Sequence, residues 1–105
     1  MHVTIREDES GDVLAEADEG PGGVVRYEGN WYFEAESVDV EHLRVTERTY
    51  TCPMKGTCNW VDAHIDGRTI KDVAWIYPEV KPGHEAIRGR YAFYAGSRGG
   101  TRQDE

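Results

Sequence analysis

Residues 60–67 read Trp60-Val61-Asp62-Ala63-His64-Ile65-Asp66-Gly67. Val61, Ala63 and Ile65 fall on one side of an extended chain, and Trp60, Asp62 and His64 on the other, because successive strand side chains point to opposite faces. Asp66-Gly67 then supplies a pair that tolerates positive φ, the signal of a hairpin turn. Residues 43–52 carry Val45, Thr46, Thr49 and Thr51 in alternation and predict a second strand. Residues 73–77 are apolar on both sides, as in a strand covered on two faces. Residues 24–27 and 31–33 flank Gly29-Asn30, which suits a tight turn. Residues 2–5 and 12–17 read as short strands around a polar turn at Gly11, and residues 89–95 as an aromatic strand. Gly20-Pro21-Gly22-Gly23 and the Pro78, Pro82, Gly83 cluster interrupt regular structure, and residues 85–88 suit one helical turn. No stretch sustains a helical apolar stripe over three turns. The expectation is an all-β domain of two small sheets with at most one or two short helical turns.

The chain has 105 residues, enough for about one domain. Its three Trp, six Tyr and two Phe give a lean composition large side chains around which to close a core. No window approaches 18 apolar residues, which excludes an apolar membrane-spanning helix. The first fifteen residues hold four acids and no apolar run, so no secretory leader is expected. Two cysteines are too few for a disulfide scaffold, and a cytoplasmic setting with two free thiols is expected. Residues 1–41 contain twelve acids and two bases, and residues 42–105 eight acids and ten bases, consistent with the net charge of −8. That balance argues against a general affinity for nucleic-acid phosphates. Acidity with few lysines is what a salt-adapted cytoplasm selects, an ordinary acidic protein being the alternative.

Thr51-Cys52-Pro53-Met54-Lys55-Gly56-Thr57-Cys58-Asn59-Trp60 looks least like scaffold. Pro53 fixes the backbone after Cys52, and Gly56 permits a turn sharp enough to bring Lys55 back towards it. An ammonium near a thiol favours the nucleophilic thiolate, and Trp60 would add a flat apolar wall. A buried, inert Cys52 beside a solvated Lys55 is the plain alternative.

The run TCPMKG at residues 51–56, AWIYPEV at 74–80 and IRGRYAFY at 87–94 resembles the small-protein family known as domain of unknown function 427. Its members carry Cys-Pro-x-Lys-Gly, Ala-Trp-x-Tyr-Pro and Ile-x-Gly-x-x-Ala-Phe-Tyr in that order. The resemblance covers the second half strongly and the first by strand pattern, with WYFEAESVDVEHL at residues 31–43 in the corresponding place. It implies a compact β-tent like that of methionine sulfoxide reductase B and related zinc-binding modules, over residues 1–95. Residues 96–105 would follow as a mobile tail dispensable for folding, since they hold nothing apolar to bury. Those zinc modules use two Cys-x-x-Cys pairs, whereas this chain has a single Cys-x5-Cys, which excludes a four-sulfur zinc site by counting. Cys58 stands where the family more often has Ala or Thr, so Cys52 is the better candidate for a shared site. The resemblance also carries a nucleotidyltransferase label. That chemistry would need Asp39 and Glu41, or Asp62 and Asp66, to hold magnesium beside a phosphate cradle. The glycine runs at 20–23 and 96–100 lack the Gly-Lys-Ser/Thr ending of such a cradle.

Asp62, His64 and Asp66 share one strand face, but i and i+2 side chains lie roughly 6.5–7 Å apart, so they read as a solvated face and not as a metal site. No metal or cofactor is called for. Trp75, Tyr77, Glu79, Arg88, Arg90 and Tyr91 form a second candidate cluster, although an aromatic inside an apolar strand, as Trp75 is, is usually core. Two functions follow. In the first, a small-molecule cleft has Trp60 and Tyr77 as walls, with Cys52 as nucleophile and Lys55 as its electrostatic partner if it is catalytic. In the second, a non-enzymatic accessory or protein-interaction domain uses the turn only to shape the fold. Whether the chain is an enzyme, and its oligomeric state, stay open between them; a small molecule is the expected partner, not nucleic acid or membrane.

Overall fold

A computed structural model describes residues 1–104. Nine strands run in chain order: β1 (His2–Glu7), β2 (Val13–Asp18), β3 (Val24–Tyr27), β4 (Asn30–Phe33), β5 (Leu43–Cys52), β6 (Gly56–Ile65), β7 (Arg68–Ile76), β8 (Tyr91–Phe93) and β9 (Thr101–Gln103). The helical content among the described residues is two single 3₁₀ turns, Ala35–Ser37 and Glu85–Ile87. The strands form a three-stranded sheet in the order β2-β1-β9 and a six-stranded sheet in the order β3-β4-β8-β7-β6-β5, each antiparallel throughout. The fold is therefore all-β in two sheets.

Local chemistry accounts for the hairpins. Glu28 and Gly29 have φ of 49° and 85° between the paired residues Tyr27 and Asn30, so the two-residue loop has positive φ at both positions, as a type I′ turn requires. Asp66 and Gly67 repeat this between Ile65 and Arg68. The strand predicted at 60–65 begins earlier, at Gly56, and the one predicted at 73–77 begins at Arg68, so β5, β6 and β7 form one long meander.

Period-two alternation divides the large sheet into two faces. Trp31 and Phe33, Val61 and Ala63, Ala74, and Phe93 pack beneath the small sheet, against Val3, Ile5, Leu14 and Ala15. The intervening residues Tyr32, Cys58, Trp75, Tyr77 and Ala92 gather on the opposite face with Ile87, and Trp60 and Tyr94 pack against them.

Two sequence expectations are corrected. Asp62 is not on a solvated face: it is buried, accepts a hydrogen bond from the backbone N–H of Asp72 at 3.0 Å, and pairs with Arg48. A bulge between β6 and β7, with Asp72 at φ 58°, turns that N–H towards it. The C-terminal segment is not a free tail either. Thr101–Gln103 pairs with β1, and Gln103 Oε1 accepts from the Trp31 indole N–H at 3.0 Å. A Cβ on Gly100 would lie 2.8 Å from an Ile70 methyl, so this stretch passes close over β7. Backbone pairing and one indole partner anchor a segment whose side chains offer little apolar area.

Candidate functional site

The β5–β6 connection is three residues, Pro53, Met54 and Lys55, closed by the pair Cys52–Gly56. Gly56 has φ 121°, and a Cβ there would sit 3.4 Å from the Glu79 carbonyl oxygen, so glycine lets the 78–81 loop cross the turn closely. That loop clamps the turn, the Lys81 N–H donating to the Lys55 carbonyl at 2.8 Å and the Lys81 ammonium to the Pro53 carbonyl at 2.9 Å. Lys55 is thereby aimed over the second face of the sheet.

There its ammonium lies 5.9 Å from the centre of the Tyr77 ring and pairs with the Glu28 carboxylate, which reaches in from the β3–β4 turn. The Lys55 side chain is only 14% exposed. Burial works against its charge, but Glu28 outweighs it and holds Lys55 above its ordinary value, fully an ammonium.

An open cleft of about 180 Å³ occupies this face. Trp60, Trp75, Tyr77 and Lys55 line it, and Asn30, Tyr32, Tyr50, Cys58 and Tyr94 complete the wall. The rings meet edge to face, Trp60 with Trp75 at 6.0 Å and Tyr32 with Trp75 at 6.3 Å, while Tyr94 tilts over Trp75 at 4.8 Å. The Trp75 indole N–H donates to the Tyr32 hydroxyl at 3.2 Å. Burial, with Cys58 beside it, pushes the Tyr77 hydroxyl far above the phenol range, so at neutral pH it can donate a proton to a hydrogen bond but not carry charge. Burial also raises the Cys58 thiol, only partly offset by hydrogen bonding from the Tyr50 backbone and the Tyr77 hydroxyl.

The sequence-predicted residues separate into two groups. Lys55, Trp60, Trp75 and Tyr77 share the cleft. Cys52 is half-buried at the turn outside the lining, where the backbone N–H groups of Lys55 and Met54, and secondarily the Lys55 charge, hold its thiol below the ordinary range. Glu79 and Arg88 are exposed on loops and stand outside the cleft lining, and Tyr91 packs against the main core on the other face. Arg90 is structural, bridging the Pro21 carbonyl at 2.6 Å, the Gly23 carbonyl at 3.0 Å and the Glu34 carboxylate at 2.7 Å. Sequence reasoning missed Tyr32, Tyr50, Cys58, Tyr94 and Asn30. The signal for three of them was present: Tyr32 alternates with Trp31 and Phe33, Tyr94 follows Phe93, and Cys58 stands two residues before Trp60 on the same face.

Of the four carboxylates that nucleotidyl transfer would draw on, Asp39 pairs with His42 at 2.6 Å and Asp62 with Arg48. Among the described residues no three His, Cys, Asp or Glu side chains converge to hold a metal ion.

Fold and cleft together define a small all-β domain with an aromatic, lysine-bearing depression on one sheet face. The chain belongs to the family described as a domain of unknown function (DUF427), which also bears the name NTP_transf_9 and matches residues 3–104. The match takes in β9 as well as the three blocks read from the sequence. Comparison with curated proteins gives no match. No helix among the described residues is long and apolar enough to cross a membrane.

Proposed function

We propose that this domain is a small-molecule binding module and that the cleft beside the Cys52–Gly56 turn receives the ligand. One observation carries the proposal: six aromatic side chains and one ammonium converge on a single opening. An engineered cavity of about 150 Å³ holds a benzene ring, so about 180 Å³ suits one ring with a substituent. Apolar walls with a few convergent polar groups are the usual make-up of a ligand site. A screen of ring-bearing compounds by thermal shift tests it, with wild type and Trp60→Ala in parallel. Binders raise the wild-type melting temperature in proportion to occupancy and leave the variant unmoved. Compounds that shift both proteins equally, or none that shifts the wild type, would sink the proposal.

A catalytic form of the same proposal makes Cys52 the nucleophile and Lys55 its electrostatic partner. The observation favouring it is the pair of turn N–H groups that lower the Cys52 thiol. Alkylation of Cys52 by iodoacetamide at pH 6 supports an activated thiol, and silence until unfolding removes it. We also read the two free thiols as a cytoplasmic trait and the acid-rich first 41 residues as salt adaptation. A melting temperature that does not rise between low and molar potassium chloride would refute the salt adaptation.

A further inference from the structure

We infer that the cleft selects a planar aromatic ligand bearing a carboxylate, and that the ligand's carboxylate takes the place of Glu28 on Lys55. The inference rests on the binding role proposed above and names its ligand class.

Among the described residues Lys55 is the only charged one of the lining, and its side chain is largely withdrawn from water. A buried ammonium needs an anion, and here Glu28 supplies one from outside the wall. The partners are unequally held. Lys55 is fixed by the clamped turn, whereas the Glu28 side chain is 51% exposed at the tip of a two-residue hairpin loop. Swinging Glu28 into solvent returns its carboxylate to water at little cost, while Lys55 keeps its position and lacks an anion. A ligand carboxylate meets that need, in a place where the chain's own carboxylate already sits.

The rest of the wall agrees on the sign. Among the described residues the lining has no carboxylate, and it offers a donor in the Asn30 amide. An aromatic cage also attracts cations in general. Here, however, the cation's place over the Tyr77 ring is taken by Lys55, so a quaternary ammonium or amine would enter beside a like charge. The rings of Trp60, Trp75 and Tyr94 then provide stacking and edge contacts for a flat apolar body.

The test uses benzoate, benzamide and benzylamine, which share one ring and differ in charge. Each is titrated at pH 7 into the full chain, following the three Trp indole N–H resonances. Benzoate is expected to bind tightest and benzylamine weakest. Glu28→Gln frees Lys55 and should tighten benzoate by about threefold or more, the order of a competing ion pair, with benzamide changed less than about twofold. Lys55→Met should bring benzoate down to the level of benzamide. Benzamide or benzylamine binding wild type as well as benzoate does, or Glu28→Gln weakening benzoate, overturns the inference while leaving the cleft a binding site. If none of the three probes perturbs the indoles, the binding role itself fails and takes this inference with it. Unchanged dispersion of the remaining amide resonances in each variant separates a lost contact from a lost fold.

Discussion

The two faces of the six-stranded sheet come from the same strands and alternate residue by residue, yet they do opposite things. The inner face presents Trp31, Phe33, Val61, Ala74 and Phe93, and the small sheet seals it. The outer presents Tyr32, Cys58, Trp60, Trp75, Tyr77 and Tyr94, and no sheet of the described residues covers it. Four of these five inner side chains have no polar atom, and the fifth, Trp31, gives its indole N–H to Gln103. Each of the six outer ones carries a polar handle on an apolar body, set around the apolar Ala92 and Ile87. A face of the first kind must be covered completely; a face of the second kind tolerates partial exposure and can turn its handles to a ligand. Stability should reside in the inner face and recognition in the outer.

The sharpest way to break that comparison is a pair of truncations. Phe93→Ala empties a core site where the ring packs edge to face on Phe33 at 5.7 Å, and should cost about 3–5 kcal/mol. Tyr50→Ala on the cleft rim, with Tyr50 55% exposed, should change stability by less than about 1 kcal/mol. Urea denaturation of both variants measures the contrast; similar losses would mean that the cleft face is core.

The cover over the inner face can be lifted from its edge. Ending the chain at Ala95 removes β9, takes Gln103 from the Trp31 indole, and strips β1 of one neighbour. The expected loss is about 2–3 kcal/mol, mostly from a buried donor left without its acceptor. A melting temperature unchanged by this truncation would restore the mobile tail that composition suggests.

How far the sequence was legible follows the same division. Alternation in residues 60–65 assigned Val61, Ala63 and Ile65 to the inner face correctly, and the Asp66-Gly67 turn was readable because its φ requirement is local. The Lys55, Trp60, Trp75 and Tyr77 part of the cleft was legible because Lys55 stands in the turn after Pro53, Trp60 and Trp75 are large aromatics within strands, and Tyr77 precedes the proline that begins a loop. Tyr50 was not: its place opposite Cys58 depends on the pairing of β5 with β6, set by the Cys52–Gly56 closure of the turn, which alternation within one strand does not specify. Glu28 escaped for a related reason, since it meets Lys55 only after strands 27 residues apart in the chain fold onto one sheet. The strand at 101–103 was invisible because its hold comes from the backbone and not from side-chain apolarity.

A smaller effect concerns how the cover is pinned. Glu7, 2% exposed at the end of β1, accepts from the N–H groups of Glu9 and Ser10 at 2.9 Å each and from Arg68 at 2.8 Å. Arg68 opens β7, so this contact ties the small sheet to the large one. Burial opposes the charge, but these donors prevail and bring the Glu7 carboxyl down to about 2. A carboxyl lowered on folding stabilises above its unfolded value and loses that contribution as pH falls through the folded one. The urea midpoint should therefore fall between about pH 4.5 and 2. Glu7→Gln should cost about 1–3 kcal/mol at pH 7 and flatten the acid limb. An acid limb equally steep in Glu7→Gln would assign it to other carboxylates.

The smallest expected effect separates the two thiols, one on each side of the cleft's boundary. Register sets Cys52 opposite Gly56 and Tyr50 opposite Cys58, so the cysteines are diagonal neighbours on paired strands. Diagonal positions lie roughly 7–8 Å apart, wider than the roughly 4.4–6.8 Å between α-carbons that a disulfide needs. Both should titrate as free thiols in denaturant without reductant. In the native protein they should differ in rate. Cys52 is half-buried and lowered by the turn N–H groups, while Cys58 is fully buried in the cleft floor and raised by that burial. Iodoacetamide at pH 7, with the sites read by peptide mass spectrometry, should modify Cys52 at least about tenfold faster. A Cys58 that reacts as fast would mean that the outer face opens down to its floor. The contrast between a sealed face and a merely uncovered one would then have to be redrawn as one between a rigid face and a breathing one.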